Sequence, residues 1–171
     1  MSYQLPFRHG QKIIELGGGD APVFRPNVDA RFGPQTDFTA DFSKPLPITS
    51  DEWDGVFCKF AIEHISWRDV RGFIGEVRRI LKIGGTAVVI APNLLEQARK
   101  LVEVAESDGI DDRWVTMIFG DLDYPENSHK CGFSPEFACR LFREAGFSKV
   151  LVVPFGELQT DMIIEATKGD R

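Results

Sequence analysis

Short β-rich apolar runs alternate along the chain with longer stretches in which apolar residues return at helical spacing, a rhythm that predicts a mostly parallel sheet covered by helices. Lys12 to Leu16 reads as the first strand, stopped by Gly17-Gly18-Gly19-Asp20, and a second short strand ends near Val28-Asp29. The segment between them, Ala21 to Asn27, carries Pro22 and Pro26 and is too short for a crossover helix, so a loop is predicted there. A third strand lies around Phe38 to Asp41, a Pro-rich passage runs from Ser43 to Ile48, and a fourth strand covers Gly55 to Cys58. After Ser66 the spacing of Val70, Phe73, Ile74, Val77, Ile80 and Leu81 predicts a helix, with Gly84-Gly85 as its stop. Thr86 to Ile90 is an unbroken apolar run, suited to the buried centre of a parallel sheet.

Beyond Pro92, Asn93 is placed to cap a helix that reaches about Ser107, with Glu96 as its reciprocal partner. A weaker helix is expected over Asp112 to Phe119. Ser134-Pro135-Glu136 opens another helix, which presents Phe137, Leu141 and Phe142 on one face and has Gly146 just past its end. Lys149 to Val153 and Asp161 to Glu165, joined by a turn near Gly156, read as a hairpin at the sheet's edge. The expected fold is α/β and Rossmann-like, a mostly parallel sheet with an antiparallel C-terminal hairpin, and 171 residues suit one domain spanning 1–171.

Charge narrows the partners. The sequence has 20 basic and 26 acidic residues, a net charge of -6, which disfavours a nucleic-acid backbone or an anionic membrane. Its basic cluster, Arg78, Arg79 and Lys82, reads as the solvated back of a helix. No apolar run is long enough to span a bilayer, and Met1 to Arg8 lacks the continuous apolar stretch of a secretory signal, so a cytoplasmic location is expected. Cys58, Cys131 and Cys139 are odd in number and form no Cys-x-x-Cys pair; packing is their expected role, and no metal site is expected.

In an open α/β sheet, ligands bind at the carboxyl ends of strands where the strand order reverses, so the residues just past each strand are the candidates for chemistry. Glu15 with Gly17, Gly18 and Gly19 follows the first strand, where missing Cβ atoms let a ligand approach the backbone. Asp29 ends the second strand and can accept both hydroxyls of a ribose. Asp41 and Phe42 follow the third, where an acid can bond an exocyclic amine and a ring can cover a purine; Cys58 and Lys59 end the fourth. Together these describe an adenosine site. A dinucleotide fingerprint would need a third glycine opening a helix; Pro22 stands there and the helix is missing, which argues against a nicotinamide cofactor.

The series Ile14-Glu15-Leu16-Gly17-Gly18-Gly19, Asn27-Val28-Asp29, Ala40-Asp41-Phe42, Trp53-Asp54-Gly55-Val56, Ala61-Ile62-Glu63-His64-Ile65, Arg79 to Gly85 and Ala145-Gly146-Phe147 resembles the small class I S-adenosylmethionine-dependent methyltransferases of the type 11 kind, shortened between the first and second strands. The resemblance implies S-adenosyl-L-methionine as cofactor. It implies that Glu15, Gly17, Gly18 and Gly19 line the methionine part, Asp29 the ribose, and Asp41 with Phe42 the adenine, with Cys58 and Lys59 giving backbone contacts near the methionyl amine. A sugar or secondary metabolite is the acceptor class it suggests.

A sulfonium methyl is already electrophilic, so a dedicated base is needed only for an acceptor that must lose a proton, such as a hydroxyl. The candidates are His64, His129 and Tyr124. His64 can equally cap or pack the following helix, His129 lies in the polar loop Gly120 to Gly132, and Tyr124-Pro125 can be a simple turn. Trp53, Trp67 and Trp114 read as packing residues. Two functions remain open: a methyltransferase acting on a small molecule, and an inert module that binds cofactor or a partner on the same fold.

Overall fold

The computed structural model describes residues 3–107 and 109–170. Seven strands form one sheet in the order β3-β2-β1-β4-β5-β7-β6: β1 (Ile13–Leu16), β2 (Asn27–Asp29), β3 (Phe38–Thr39), β4 (Trp53–Lys59), β5 (Leu81–Pro92), β6 (Phe147–Phe155) and β7 (Asp161–Lys168). The strands from β3 to β5 are parallel, with Glu15 beside Asn27 and Ile14 beside Val56. β7 then runs antiparallel between β5 and β6. The order reverses at β1 and β4, and their carboxyl ends form the crevice where this architecture takes ligands.

The four α-helices among the described residues are α1 (Val70–Ile80), α2 (Leu94–Ser107), α3 (Asp112–Phe119) and α4 (Pro135–Glu144). α1 buries the apolar face read from the sequence, Val70, Phe73, Ile74, Val77 and Ile80. It stops at Ile80 rather than at the glycines, because Leu81 is already extended and pairs with Trp53; Gly84 and Gly85 fall inside β5. α4 starts as predicted, with the Ser134 hydroxyl accepting from the Phe137 N–H at 3.2 Å and Pro135 in the first turn. Only half of the capping arrangement at α2 forms. Asn93 Oδ1 accepts from the Glu96 N–H at 3.4 Å, but the Glu96 carboxylate turns to Arg99 and the Asn93 N–H donates to the Thr160 carbonyl. The hairpin is present, yet its second strand lies inside the sheet and β6 forms the edge.

The two faces of the sheet are covered unequally. One face packs Ile14, Leu16, Val56, Val89 and Ala91 against α1 and α4 in the main core. The other holds the smaller cluster Ile13, Phe57, Val88, Ile90 and Ile163, covered by Tyr3, Leu5, Phe7 and Phe24. Phe24 comes from the loop predicted in place of a helix, and its ring meets Phe7 and Phe57 edge-on at 5.4 Å.

The basic cluster is half-exposed, and each of its members also has a partner. Arg79 ties Glu76 to the carbonyls of Leu46 and Ile48, Arg78 donates to the Gly146 carbonyl, and Lys82 pairs with Asp54 at 2.8 Å. Among the tryptophans Trp114 is buried, whereas Trp67 is exposed, against the packing expectation. Cys58 is fully buried and the three thiols are free. No helix among the described residues is long and apolar enough to cross a membrane.

Candidate functional site

The exit from β1 is held by polar side chains that replace the missing crossover helix. The buried Glu15 carboxylate accepts the N–H groups of Val23 and Phe24, both at 2.6 Å, and burial raises its pKa against the lowering effect of those bonds. Asn27, fully buried, accepts from the Gly18 N–H at 3.0 Å and donates to the Gln35 carbonyl at 2.9 Å. Glu15 is therefore occupied in fixing the 21–27 loop and does not line the cavity its glycines border.

That cavity has a volume of about 430 Å³. Gly17, Gly18, Gly19, Asp29, Asp41 and Phe42 all line it, so the structure brings together the main strand-end residues read from the sequence. Gly17 has φ +78°, and a Cβ there would stand 2.3 Å from that of Ala61. Gly19 has φ +56° with nothing within 4 Å of its absent Cβ, an open cradle that a side chain would fill. Asp29 is oriented by accepting from the Gly19 and Arg31 N–H groups, each at 2.9 Å. Asp41 accepts from the Ser43 N–H and hydroxyl, which with Lys44 hold its pKa down at about 2. Phe42 packs against Phe73 with the rings tilted and their centroids 5.2 Å apart, beside the glycine turn.

The end of β4 departs from expectation. Cys58 is buried away from the cavity, and Lys59 points its ammonium over the Phe60 ring at 5.7 Å; neither lines the space. Phe60, with φ +50°, and Ala61 do so instead, because the chain turns there into a short 3-10 segment, Ile62–His64. The signal that could have pointed to them is their place one and two residues past the strand.

His64 and Tyr124 line the same cavity, whereas His129 stands behind His64 with ring centroids 5.0 Å apart. Burial holds both imidazoles below the ordinary histidine pKa. Each engages a carbonyl through Nδ1, His64 with Ser128 at 3.1 Å and His129 with Ile118 at 3.2 Å. The Arg31 guanidinium lies 4.0 Å above the Tyr124 ring and joins the loop after β2 to the loop after α3. Reasoning from sequence missed Arg31, Ser66, Asp69, Asn127 and Lys130 as lining residues, and the buried Glu63 beside His64, whose carboxyl burial pushes up to about 8.

The comparisons agree with this fold. The family described as a methyltransferase domain matches residues 24–89. Among solved structures, the Haloferax volcanii protein in complex with the Trm112 methyltransferase activator superposes with TM-score 0.65 at 15% identity, covering 97% of this chain and 86% of that one. A SAM-dependent methyltransferase from Thermotoga maritima gives 0.65 at 19% identity, covering 92% and 82%, and one from Mesorhizobium loti gives 0.60 at 16%, covering 93% and 91%. No curated protein matches the sequence. The fold is that of the class I S-adenosylmethionine-dependent methyltransferases, and family match and fold together imply S-adenosyl-L-methionine as the cofactor. The open backbone at Gly19 and the fixed carboxylate of Asp29 in one cavity fit such a group.

Proposed function

We propose that the chain transfers a methyl group from S-adenosyl-L-methionine to a small molecule bearing a hydroxyl, of the sugar or secondary-metabolite class. The observation that supports this most is the single cavity shared by the glycine turn, Asp29, Asp41 and Phe42 with His64, Tyr124 and Lys130. The bound cofactor supplies an electrophilic methyl carbon on a sulfonium. Asp29 has lone pairs left after its two backbone bonds and accepts from the ribose; Gly17 to Gly19 admit the amino-acid tail; Asp41 and Phe42 meet the adenine. His64 and Tyr124 surround the acceptor, and His129 supports His64 from behind. The chain's contribution is alignment of the acceptor with the methyl and exclusion of water. Incubation with methyl-labelled cofactor and a metabolite extract tests it, the expected result being a labelled small product.

A second reading, an inert or partner-dependent module, is favoured by one observation. Phe32, 89% exposed, precedes the short edge strand β3 and Phe38 is exposed within it, and the Haloferax neighbour was solved with an activator protein. Binding of S-adenosylhomocysteine with no labelled product from the chain alone would favour it.

A further inference from the structure

Glu63, His64 and His129 form a cluster that the adenosyl site does not use. One potential ligand atom from each lies within 4.8 Å of the other two. Glu63 is 2% exposed, and its Oε2 is enclosed without a hydrogen-bond partner. To ionise, a carboxyl so placed needs a cation beside it, and among the described residues no lysine or arginine pairs with it.

The imidazoles are arranged to complement it. With Nδ1 of His64 and of His129 each donating to a backbone carbonyl, the Nε2 lone pairs are the free ones, which is how outer carbonyls orient metal-binding histidines. The scaffold is also fixed in advance. The Glu63 carbonyl accepts from the N–H groups of Lys130 at 2.8 Å and Cys131 at 3.0 Å, so the turn after β4 and the loop carrying His129 are pinned to each other. Bonds of about 2.1 Å to a metal put neighbouring donors roughly 3.0–3.5 Å apart, within reach of small side-chain rotations from the observed spacing.

We propose that Glu63, His64 and His129 bind a divalent first-row transition ion, Zn²⁺ or a similar ion, with its open positions turned toward the cavity that His64 lines. Two nitrogens and one carboxylate oxygen are a donor set that leaves room for water or an acceptor oxygen. The acceptor's placement on that ion rests on the methyltransferase reading; the ion's binding does not. It also assigns His64 to holding the ion rather than to taking a proton. The sequence hid the set because its members come from two loops and match no metal-binding spacing.

The test is titration of chelator-treated protein with Zn²⁺ by calorimetry and with Co²⁺ by visible absorption, with S-adenosylhomocysteine titrated into the same samples. One ion per chain is expected. His129→Ala and Glu63→Gln should each weaken uptake by more than the roughly 10–100-fold that changes behind a ligand cost, while retaining the S-adenosylhomocysteine heat. His9→Ala, on the exposed N-terminal segment, should change nothing. Wild-type protein that takes up no ion overturns the proposal, and so does uptake left intact in both variants or lost in His9→Ala. Ion uptake without any heat from S-adenosylhomocysteine would leave the metal site standing and overturn the methyltransferase reading.

Discussion

The wall of the cavity built from β1 and β2 and the wall built from the loop after α3 are held by different means. On the first, short bonds fix each backbone group: Gly17 N–H to the Val28 carbonyl at 2.7 Å, Gly18 to Asn27, Gly19 to Asp29. Fully buried Leu16 and Val28 stand beneath them. On the second, α2 buries only Gln97 and α3 only Trp114, and Val102, Val115, Phe119 and Leu122 stay exposed. That wall hangs on a few contacts, among them Arg31 on Tyr124 and the Lys130 N–H to the Glu63 carbonyl. The first wall is tied to the sheet bond by bond and the second is attached through fewer buried groups, the kind of surface in which specificity is altered without loss of the fold.

Substitutions can break this contrast in order of size. Gly17→Val should remove binding of S-adenosylhomocysteine from the range of calorimetry, because φ +78° and the 2.3 Å approach to Ala61 both exclude a branched side chain. Phe73→Ala, under the first wall, should lower unfolding free energy by about 3–5 kcal/mol in urea titration. Asp29→Ala should keep the fold and weaken S-adenosylhomocysteine by about 1.5–3 kcal/mol, roughly 10–150-fold. On the second wall, Tyr124→Ala removes a cation–π contact at a partly open site and should cost only about 0.5–1 kcal/mol of stability. Val102→Ser on exposed α2 should shift stability by less than about 0.5 kcal/mol. A Tyr124→Ala loss as large as that from Phe73→Ala would show that the two walls are equally anchored.

The same contrast decides what could be read from the sequence. Strand ends follow the period of the apolar runs, so Gly17, Asp29, Asp41 and Phe42 were legible from their positions alone. Glu15 was read as a ligand contact from its place; in the structure its carboxylate accepts the Val23 and Phe24 N–H groups that the loss of a helix left in need of an acceptor. Cys58 and Lys59 stop just short of the cavity: the chain meets it at Phe60, which adopts a left-handed conformation that no periodicity announces, and at Ala61. Arg31 and Tyr124 meet across 93 residues, and Glu63 and His129 across 66; contacts of that range leave no local trace.

The slot taken by β7 also bears on how the polypeptide matures. β7 emerges from the ribosome after the other six strands, yet it sits between β5 and β6. Until it arrives, one flank of β5 offers an unsatisfied ladder of amides beside Val88, Val89 and Ile90. A nascent sheet in that state is open to wrong pairing with other chains, a hazard that lasts for the interval needed to synthesise residues 93–168.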